Sequence, residues 1–270
     1  MVFRTPSYYN KFKCLADKCN DNCCIGWEID VDNITLEKYM SIDGDFGKRL
    51  KQNISDGSFV LNEKERCPFL NSRNLCDIYA KLGEDSLCQI CTNHPRFYEW
   101  FGNIKEGGIG LCCEAAARLI ISENFSLTEE IISEDESEYP DELLFDFLND
   151  ARQVIIDHLH TDSDFKDSIG CLLCFAEELQ FRIDNKDYTI PEWKNTMVPR
   201  YPDIKSILHI FTELEPMDEN WILSIHNSMK FADSFKGYKN QHEIYLRRIA
   251  VYFIYRYFLK GAFDGEVLSK

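Results

Sequence analysis

The sequence lacks an apolar run long enough to cross a membrane. Its longest apolar stretch, Ile249–Tyr255, is bordered by arginines on both sides, whereas a membrane-spanning helix needs about 20 predominantly apolar residues. The N-terminal segment Met1–Asn10 contains neither an apolar core nor a small-residue cleavage pattern, so it does not read as a secretory signal. These absences predict a cytoplasmic protein with no transmembrane segment.

Positive charge is also scarce. The chain has 46 Asp and Glu against 30 Lys and Arg, which gives a formal net charge of −16. A surface this acidic repels phosphate backbones, so we expect no nucleic-acid partner. A basic or polar protein substrate remains compatible with this charge.

The common phosphate-binding loops are missing as well. The glycines of residues 107–110 are not followed by Lys-Ser or Lys-Thr, and no G-x-G-x-x-G pattern occurs with them. We therefore predict that these glycines let the backbone pass close to a metal site. A binding site for a nucleotide-like cofactor stays unassigned.

Cysteine, by contrast, is abundant and unevenly placed. Ten of the 12 cysteines lie between Cys14 and Cys113, and the other two are Cys171 and Cys174. In a reducing compartment such clustering indicates metal binding or catalysis rather than disulfides. Soft thiolates favour zinc, copper(I) or iron–sulfur centres, and an iron–sulfur cluster is our preferred interpretation.

The cysteines fall into motifs that are incomplete on their own. The first is Cys14-x4-Cys19-x3-Cys23-Cys24, and the second comprises Cys67, Cys76 and Cys88-x2-Cys91, followed by His94. A Cys-x2-Cys pair suits two thiolates on one centre. We predict that segments 14–24 and 67–91 meet around a common site, with His94 hydrogen-bonded to a sulfur.

The hydrophobic pattern changes along the chain. Residues 1–122 consist of short, turn-rich segments, which predicts a metal-cluster domain with little regular structure. Metal–thiolate bonds would stabilise it, since structural metal contributes about 10–16 kcal/mol of apparent folding free energy. Residues 123–142 are rich in acids and are predicted to form a linker.

Residues 143–270 are predicted to form an α-helical domain, so the fold class is mostly α. Apolar residues recur at three-and-four spacing in segments 143–159, 171–181, 204–214, 221–231 and 242–263. Cys171 and Cys174 share one helical face among Leu and Phe, which favours core packing over metal ligation. The ending Asp264–Lys270 resembles a turn into another element, so a C-terminal truncation is also to be considered.

The motifs together resemble one known family. They read Cys-x4-Cys-x3-Cys-Cys-x-Gly-Trp, then Cys-Pro-Phe-Leu, Cys-x-Ile-Tyr, Leu-Gly-Glu, Cys-x2-Cys and His-Pro-Arg, then Leu-x-Cys-x2-Ala-Ala-Arg. This series is similar to the flagellin lysine-N-methylase family over roughly residues 10–120. That family is in turn similar to a broader group named for a zinc- or iron-chelating cysteine cluster.

The resemblance implies a cytoplasmic enzyme that methylates the ε-amino groups of flagellin lysines. It implies S-adenosylmethionine as methyl donor and a [4Fe–4S] cluster held by the cysteines, with zinc as the alternative metal. Members of the family tend to be longer, and the Cys-x3-Cys-x2-Cys triplet of common radical enzymes is absent here. The family motif matches Cys14, Cys19, Cys23, Cys24, Cys67, Cys76, Cys88, Cys91 and Cys113.

Nine thiols exceed the four ligands of one [4Fe–4S] cluster. Either two centres exist or several cysteines only surround the ligands. Catalytic residues are not assigned, although Tyr98, Glu99, Trp100 and Phe101 offer aromatic walls and a carboxylate for a lysine. Packing is the favoured interpretation of those four. The alternative function is a non-catalytic iron–sulfur or zinc module for metal handling or partner binding.

Overall fold

The computed structural model describes residues 1–19, 22–134, 137–138, 140–161, 163–194, 204–216, 219–232 and 242–269. The chain forms two compact units, Met1–Tyr139 and Pro140–Lys270. Within the described residues, no helix has both the length and the apolar character that a membrane span requires.

A four-stranded sheet organises the first unit. Its strands are β1 (Val2–Pro6), β4 (Arg96–Phe101), β5 (Ile104–Ile109) and β6 (Leu127–Ile131), in the order β4-β5-β1-β6. Strand β1 is parallel to β5 and antiparallel to β6, whereas β4 and β5 form an antiparallel hairpin. The N-terminal strand therefore lies at the centre of the sheet.

Short helices and a second hairpin complete the unit. The hairpin pairs β2 (Ile54–Ser55) with β3 (Ser58–Phe59). The helices are α1 (Asn33–Ser41), α2 (Gly44–Gln52), α3 (Asp77–Leu82), α4 (Gln89–Asn93) and α5 (Glu114–Ser122).

The prediction of little regular structure in residues 1–122 is wrong. Besides these elements, the segment has a hydrophobic core that includes Tyr39, Leu50, Phe59, Phe69 and Ile78. The hydroxyl of Tyr39 donates to the carbonyl of Ser86 at 2.6 Å, which satisfies its polar end inside the core. Burial of aromatic and aliphatic side chains thus stabilises this segment without reference to a metal.

The segment predicted as an acidic linker, 123–142, contains β6. Glu129 of this strand lies opposite Arg4 of β1, and their side chains form an ion pair at 2.8 Å. Arg4 also reaches Glu106 of β5 at 3.3 Å. Glu129, which the sequence placed in a solvated acidic run, is therefore paired with a cation on the sheet, and Glu106 of β5 shares that cation.

The glycines at 107 and 108 serve the sheet rather than a metal site. A Cβ at Gly107 would lie 2.7 Å from the ring of Phe3, and one at Gly108 would lie 2.3 Å from the ring of Phe97. Both distances are shorter than van der Waals contact. The glycines thus leave room for aromatic rings that lie over the strand.

Helices build the second unit, as the periodicity predicts. They are α6 (Glu142–Leu159), α7 (Phe165–Asp184), α8 (Ile204–Thr212), α9 (Glu219–Phe231), α10 (Glu243–Tyr257) and α11 (Gly261–Asp264). Side chains of Asp141 and Asp164 cap α6 and α7 by accepting backbone N–H groups. The mostly α-helical character predicted for the chain is confirmed at this level.

Two buried arginines connect α6 and α10 in this unit. Arg247 of α10 donates to the carbonyl of Leu159 at the end of α6, at 3.1 Å. Arg152 of α6 lies with its guanidinium 5.4 Å from the ring centroid of Tyr255 on α10. Cations favour helix C-termini, where carbonyls lack intrahelical partners.

We predict that Gly108→Ala destabilises the protein by about 1–3 kcal/mol, because an added methyl in a packed region forces the Phe97 ring to move. Urea denaturation followed by circular dichroism would measure the change. The double variant Gly108→Ala/Phe97→Leu should recover part of the loss. If Gly108→Ala unfolds at the same urea concentration as the wild type, the packing role of this glycine is refuted.

Candidate metal centre

Two backbone contacts join the first cysteine motif to the second. The N–H of Cys67 donates to the carbonyl of Cys24 at 2.8 Å, and the N–H of Gly26 donates to the carbonyl of Glu65 at 2.9 Å. Gly26 has a φ of 76°, which residues with a Cβ rarely adopt. The segments 14–24 and 67–91 thus meet at Cys24 and Cys67, as predicted, and that they surround a common metal site stays a prediction.

A tight turn carries the chain from Cys67 to Cys76. The N–H of Leu70 donates to the carbonyl of Cys67 at 3.1 Å, and the N–H of Asp77 donates to the carbonyl of Phe69 at 2.8 Å. Cys76 immediately precedes α3. The turn therefore folds the chain back so that the two cysteines stand near each other.

Arg49 of α2 holds this turn from outside. It donates to the carboxylate of Asp77 at 2.7 Å and to the carbonyl of Pro68 at 2.6 Å. Pro68 and Asp77 directly follow Cys67 and Cys76 in the chain. One guanidinium thus bridges the backbone segments that present two thiols, in the fork geometry that arginine favours.

Cys88 and Cys91 lie at the start of α4, with their sulfurs 3.2 Å apart. Asp32, which caps α1 by accepting from Thr35, also accepts the N–H of Gln89 at 2.8 Å. These N–H groups, that of Gln89 above all, hold the pKa of Asp32 below its usual value. The charged carboxylate therefore fastens the cysteine-bearing helix to α1.

Five thiols, here called the inner thiol cluster, lie close enough together for their charges to interact. Burial raises the pKa of Cys67 to about 11, with contributions from Cys76 and Cys88. The hydrogen bond with Cys88 and then burial raise the pKa of Cys91, and Cys24 and Cys67 add to the effect. The members of the inner thiol cluster are Cys24, Cys67, Cys76, Cys88 and Cys91.

The chemistry of this donor set fits a soft metal or an iron–sulfur cluster. Adjacent thiolates repel each other in a half-buried site, and a bound cation would offset that repulsion. Five thiols also suffice for the four ligands of a [4Fe–4S] cluster. In the described part of the chain, however, no three His, Cys, Asp or Glu side chains are disposed to hold a metal ion.

A second group of donors surrounds His94, at the end of α4. Hydrogen bonds with Cys113 and Cys23 raise the pKa of His94 to about 10. The contact with Cys24 and then that with His94 lower the pKa of Cys23 to about 4. Burial alone would raise the pKa of Cys113, but His94 and nearby backbone N–H groups lower it. His94 therefore forms hydrogen bonds with cysteine sulfurs, as the sequence predicts.

The remaining cysteines include Cys14, Cys19 and Cys171. Cys14 is exposed and its sulfur accepts the N–H of Ala16 at 3.3 Å. Cys19 is half-buried and precedes residues 20 and 21, which lie outside the described part. Cys171 is buried on α7, as expected of a core residue, and burial raises its pKa.

Sequence reasoning missed the residues that position the thiols. The role of Asp32 as a helix N-cap could have been predicted from the sequence, because Asp is a preferred N-cap residue and its side chain accepts the N–H three residues further on. The role of Arg49 could not, since its partners lie 19 and 28 residues further along the chain.

We predict that Arg49→Met weakens the turn between Cys67 and Cys76. Hydrogen bonds to a charged group contribute roughly 1.5–3 kcal/mol, so the variant should be less stable. Buried Cys67 should also react faster with iodoacetamide, which peptide mass spectrometry would quantify. Lys51→Met, an exposed position at the end of the same helix, is the control. Equal alkylation rates of Cys67 in the two variants would argue against a positioning role.

The chain is 30% identical over 126 residues to the lysine-N-methylases of Salmonella typhimurium and Salmonella choleraesuis, a match that covers 43% of this chain and 31% of each relative. The match to the flagellar biosynthetic protein FliU of Salmonella muenchen is also 30% over 126 residues and covers 75% of that relative.

No family profile and no solved structure matches the chain. The chain spans about a third of the length of the two lysine-N-methylases, but three quarters of FliU. The chain is thus similar both to lysine-N-methylases and to FliU, as the series of cysteine motifs predicts. The chain belongs to the flagellin lysine-N-methylase family.

Proposed function

We propose that this protein is an S-adenosylmethionine-dependent protein lysine N-methyltransferase that acts on flagellin and depends on a [4Fe–4S] cluster. The observation that carries the proposal is the gathering of the family's cysteines, from two distant motifs, into the inner thiol cluster. The relatives are named lysine-N-methylase and flagellar biosynthetic protein, which supports this class of reaction and of substrate.

The proposed cluster ligands come from the inner thiol cluster. Cys67 and Cys88 are its buried members, and Cys24, Cys76 and Cys91 are half-buried. Burial keeps water away from the sulfurs, and the backbone N–H groups of Phe69 and Leu70 point at Cys67. A bound [4Fe–4S] cluster would supply a redox-active centre whose potential depends on such hydrogen bonds and on exposure.

The His94 group is proposed to border this centre rather than to complete it. Cys23 is adjacent to Cys24 in the chain and contacts His94. His94 would thereby keep a positive charge beside the negatively charged thiolates, which favours their ionised form. Cys14, Cys19 and Cys113 also match the family motif, but they are not members of the inner thiol cluster and are not among its proposed ligands.

The charge of the chain suits a lysine-bearing substrate. A net charge of −16 attracts basic protein surfaces. The attraction between exposed charges falls as salt shortens the Debye length to about 3 Å at 1 M. Turnover on a lysine-rich protein should accordingly decrease with rising ionic strength.

We predict that Cys88→Ser loses bound iron, whereas Cys171→Ser retains it. Both residues are buried, with 1% and 5% of their surface exposed, so the pair controls for the removal of a buried thiol. Cys88 belongs to the inner thiol cluster, but Cys171 packs on α7 among apolar residues. Iron per chain, measured after anaerobic purification, checks this prediction; equal iron in both variants contradicts it.

We further predict that the anaerobically prepared protein adds methyl groups to flagellin in the presence of S-adenosylmethionine. Each transfer replaces an N–H by N–CH₃ and adds about 14 Da, which intact-protein mass spectrometry resolves. Exposure to air should abolish the activity, because oxygen attacks the sulfides of an iron–sulfur cluster. A zinc–thiolate site has no such sulfides. An iron-replete protein that leaves flagellin unmodified would favour the non-catalytic iron–sulfur module, and bound zinc without iron would favour the zinc module.

A further inference from the structure

Three aromatic rings surround the ammonium group of Lys105 on one face of the sheet. Its Nζ lies 4.8 Å from the ring centroid of Tyr98, 5.2 Å from that of Trp100 and 5.6 Å from that of Phe3. Ring faces attract cations within about 6 Å, and such aromatic cages recognise methylated ammonium groups. The sheet therefore holds one of the protein's own lysines in surroundings suited to an alkylammonium ion.

A carboxylate completes the surroundings. Both oxygens of Glu134 contact the Nζ of Lys105, at 2.7 and 2.8 Å. The side chain of Lys105 is 13% exposed and that of Glu134 is 44% exposed. The ammonium is thus largely withdrawn from water, while the carboxylate lies on the side that solvent reaches.

The strand register explains why these groups meet. Lys105 of β5 lies opposite Trp100 of β4 and opposite Phe3 of β1. Tyr98 lies opposite Gly107, where a Cβ would collide with the ring of Phe3 at 2.7 Å. Glycine at this position therefore allows the rings to close around the lysine.

We propose that Lys105 is itself a methyl-accepting lysine, modified at Nζ by a sulfonium methyl donor. The inference rests on the proposed lysine methyltransferase function. Lysine methylation needs a neutral amine, so a proton must leave first. Glu134 is the group in contact that can accept it.

Glu134 takes a proton from the ammonium, and the freed lone pair of Nζ attacks the methyl carbon. The N–C bond forms while the C–S bond breaks, so that the sulfonium becomes a neutral thioether and Nζ is again a cation. The proton on Glu134 then passes to solvent, and the rings hold the methylated cation as they held the original one.

The contact with Glu134 sets the extent of the modification. Each methyl group replaces one N–H, so monomethyl- and dimethyl-lysine keep a donor for the carboxylate. Trimethyl-lysine has none and would leave Glu134 without its hydrogen bond. Lys105 should therefore carry one or two methyl groups, but not three.

Peptide mass spectrometry of the full chain, after anaerobic incubation with S-adenosylmethionine, tests this inference. Lys105 should gain about 14 or 28 Da, whereas Lys81, whose Nζ lies 4.7 Å from the ring of Phe46, should remain unmodified and serves as the control. Unmodified Lys105, a trimethylated Lys105 or an equally methylated Lys81 would overturn the proposal.

A variant separates chemistry from packing. Glu134→Gln keeps the size and a hydrogen-bonding group but removes the proton acceptor, so methylation of Lys105 should slow by about 100-fold. Circular dichroism checks that this variant is folded, and an unchanged rate would overturn the role of Glu134. Flagellin in the same reaction reports the proposed function separately. Methylated flagellin beside unmodified Lys105 refutes only the present inference, whereas the converse refutes only flagellin as substrate.

Discussion

The first unit keeps several thiols together in a partly buried place. Burial raises the pKa of Cys67, and the hydrogen bond with Cys88 raises the pKa of Cys91, whereas the same contact lowers the pKa of Cys88. An arrangement of this kind is unfavourable for negative charges unless a cation shares the site. The hydrogen bond between the carbonyl of Cys24 and the N–H of Cys67 nevertheless brings the two cysteine motifs together. The thiolate-bound metal centre that we propose would relieve this repulsion.

The thiols are also part of an ordinary hydrophobic core. Cys67 and Cys88 are buried with Tyr39, Phe59 and Phe69, and Phe59 lies 4.9 Å from Phe69, centroid to centroid. Loss of a metal would therefore disturb packing, and disturbed packing would in turn misplace sulfurs. Metal binding and folding are linked whenever the site is formed only by the folded chain. Arg49 and Asp32 reinforce this link because each fastens a cysteine-bearing segment to a neighbouring helix.

The sequence predicted local and motif-based features well and long-range pairing poorly. The three-and-four periodicity located α6 and α10, because each helix is specified by residues close together in the chain. The incomplete motifs correctly predicted that segments 14–24 and 67–91 meet. The sheet was missed because Phe3 pairs with Lys105 and Glu130, contacts that leave no local period. The glycines at 107 and 108 were misread for the same reason, since their neighbours are rings on strands that had not been recognised.

The proposed metal centre requires that sulfurs of the inner thiol cluster bind the same metal. Differential alkylation of the iron-loaded and the metal-depleted protein, read by peptide mass spectrometry, measures this directly. We expect Cys24, Cys67, Cys76, Cys88 and Cys91 to supply four or more thiols that are protected with iron and alkylated once it is removed. Exposed Cys14 and Cys112 should be alkylated in both states. If instead the inner thiol cluster reacts equally with and without iron, the proposed metal centre is contradicted.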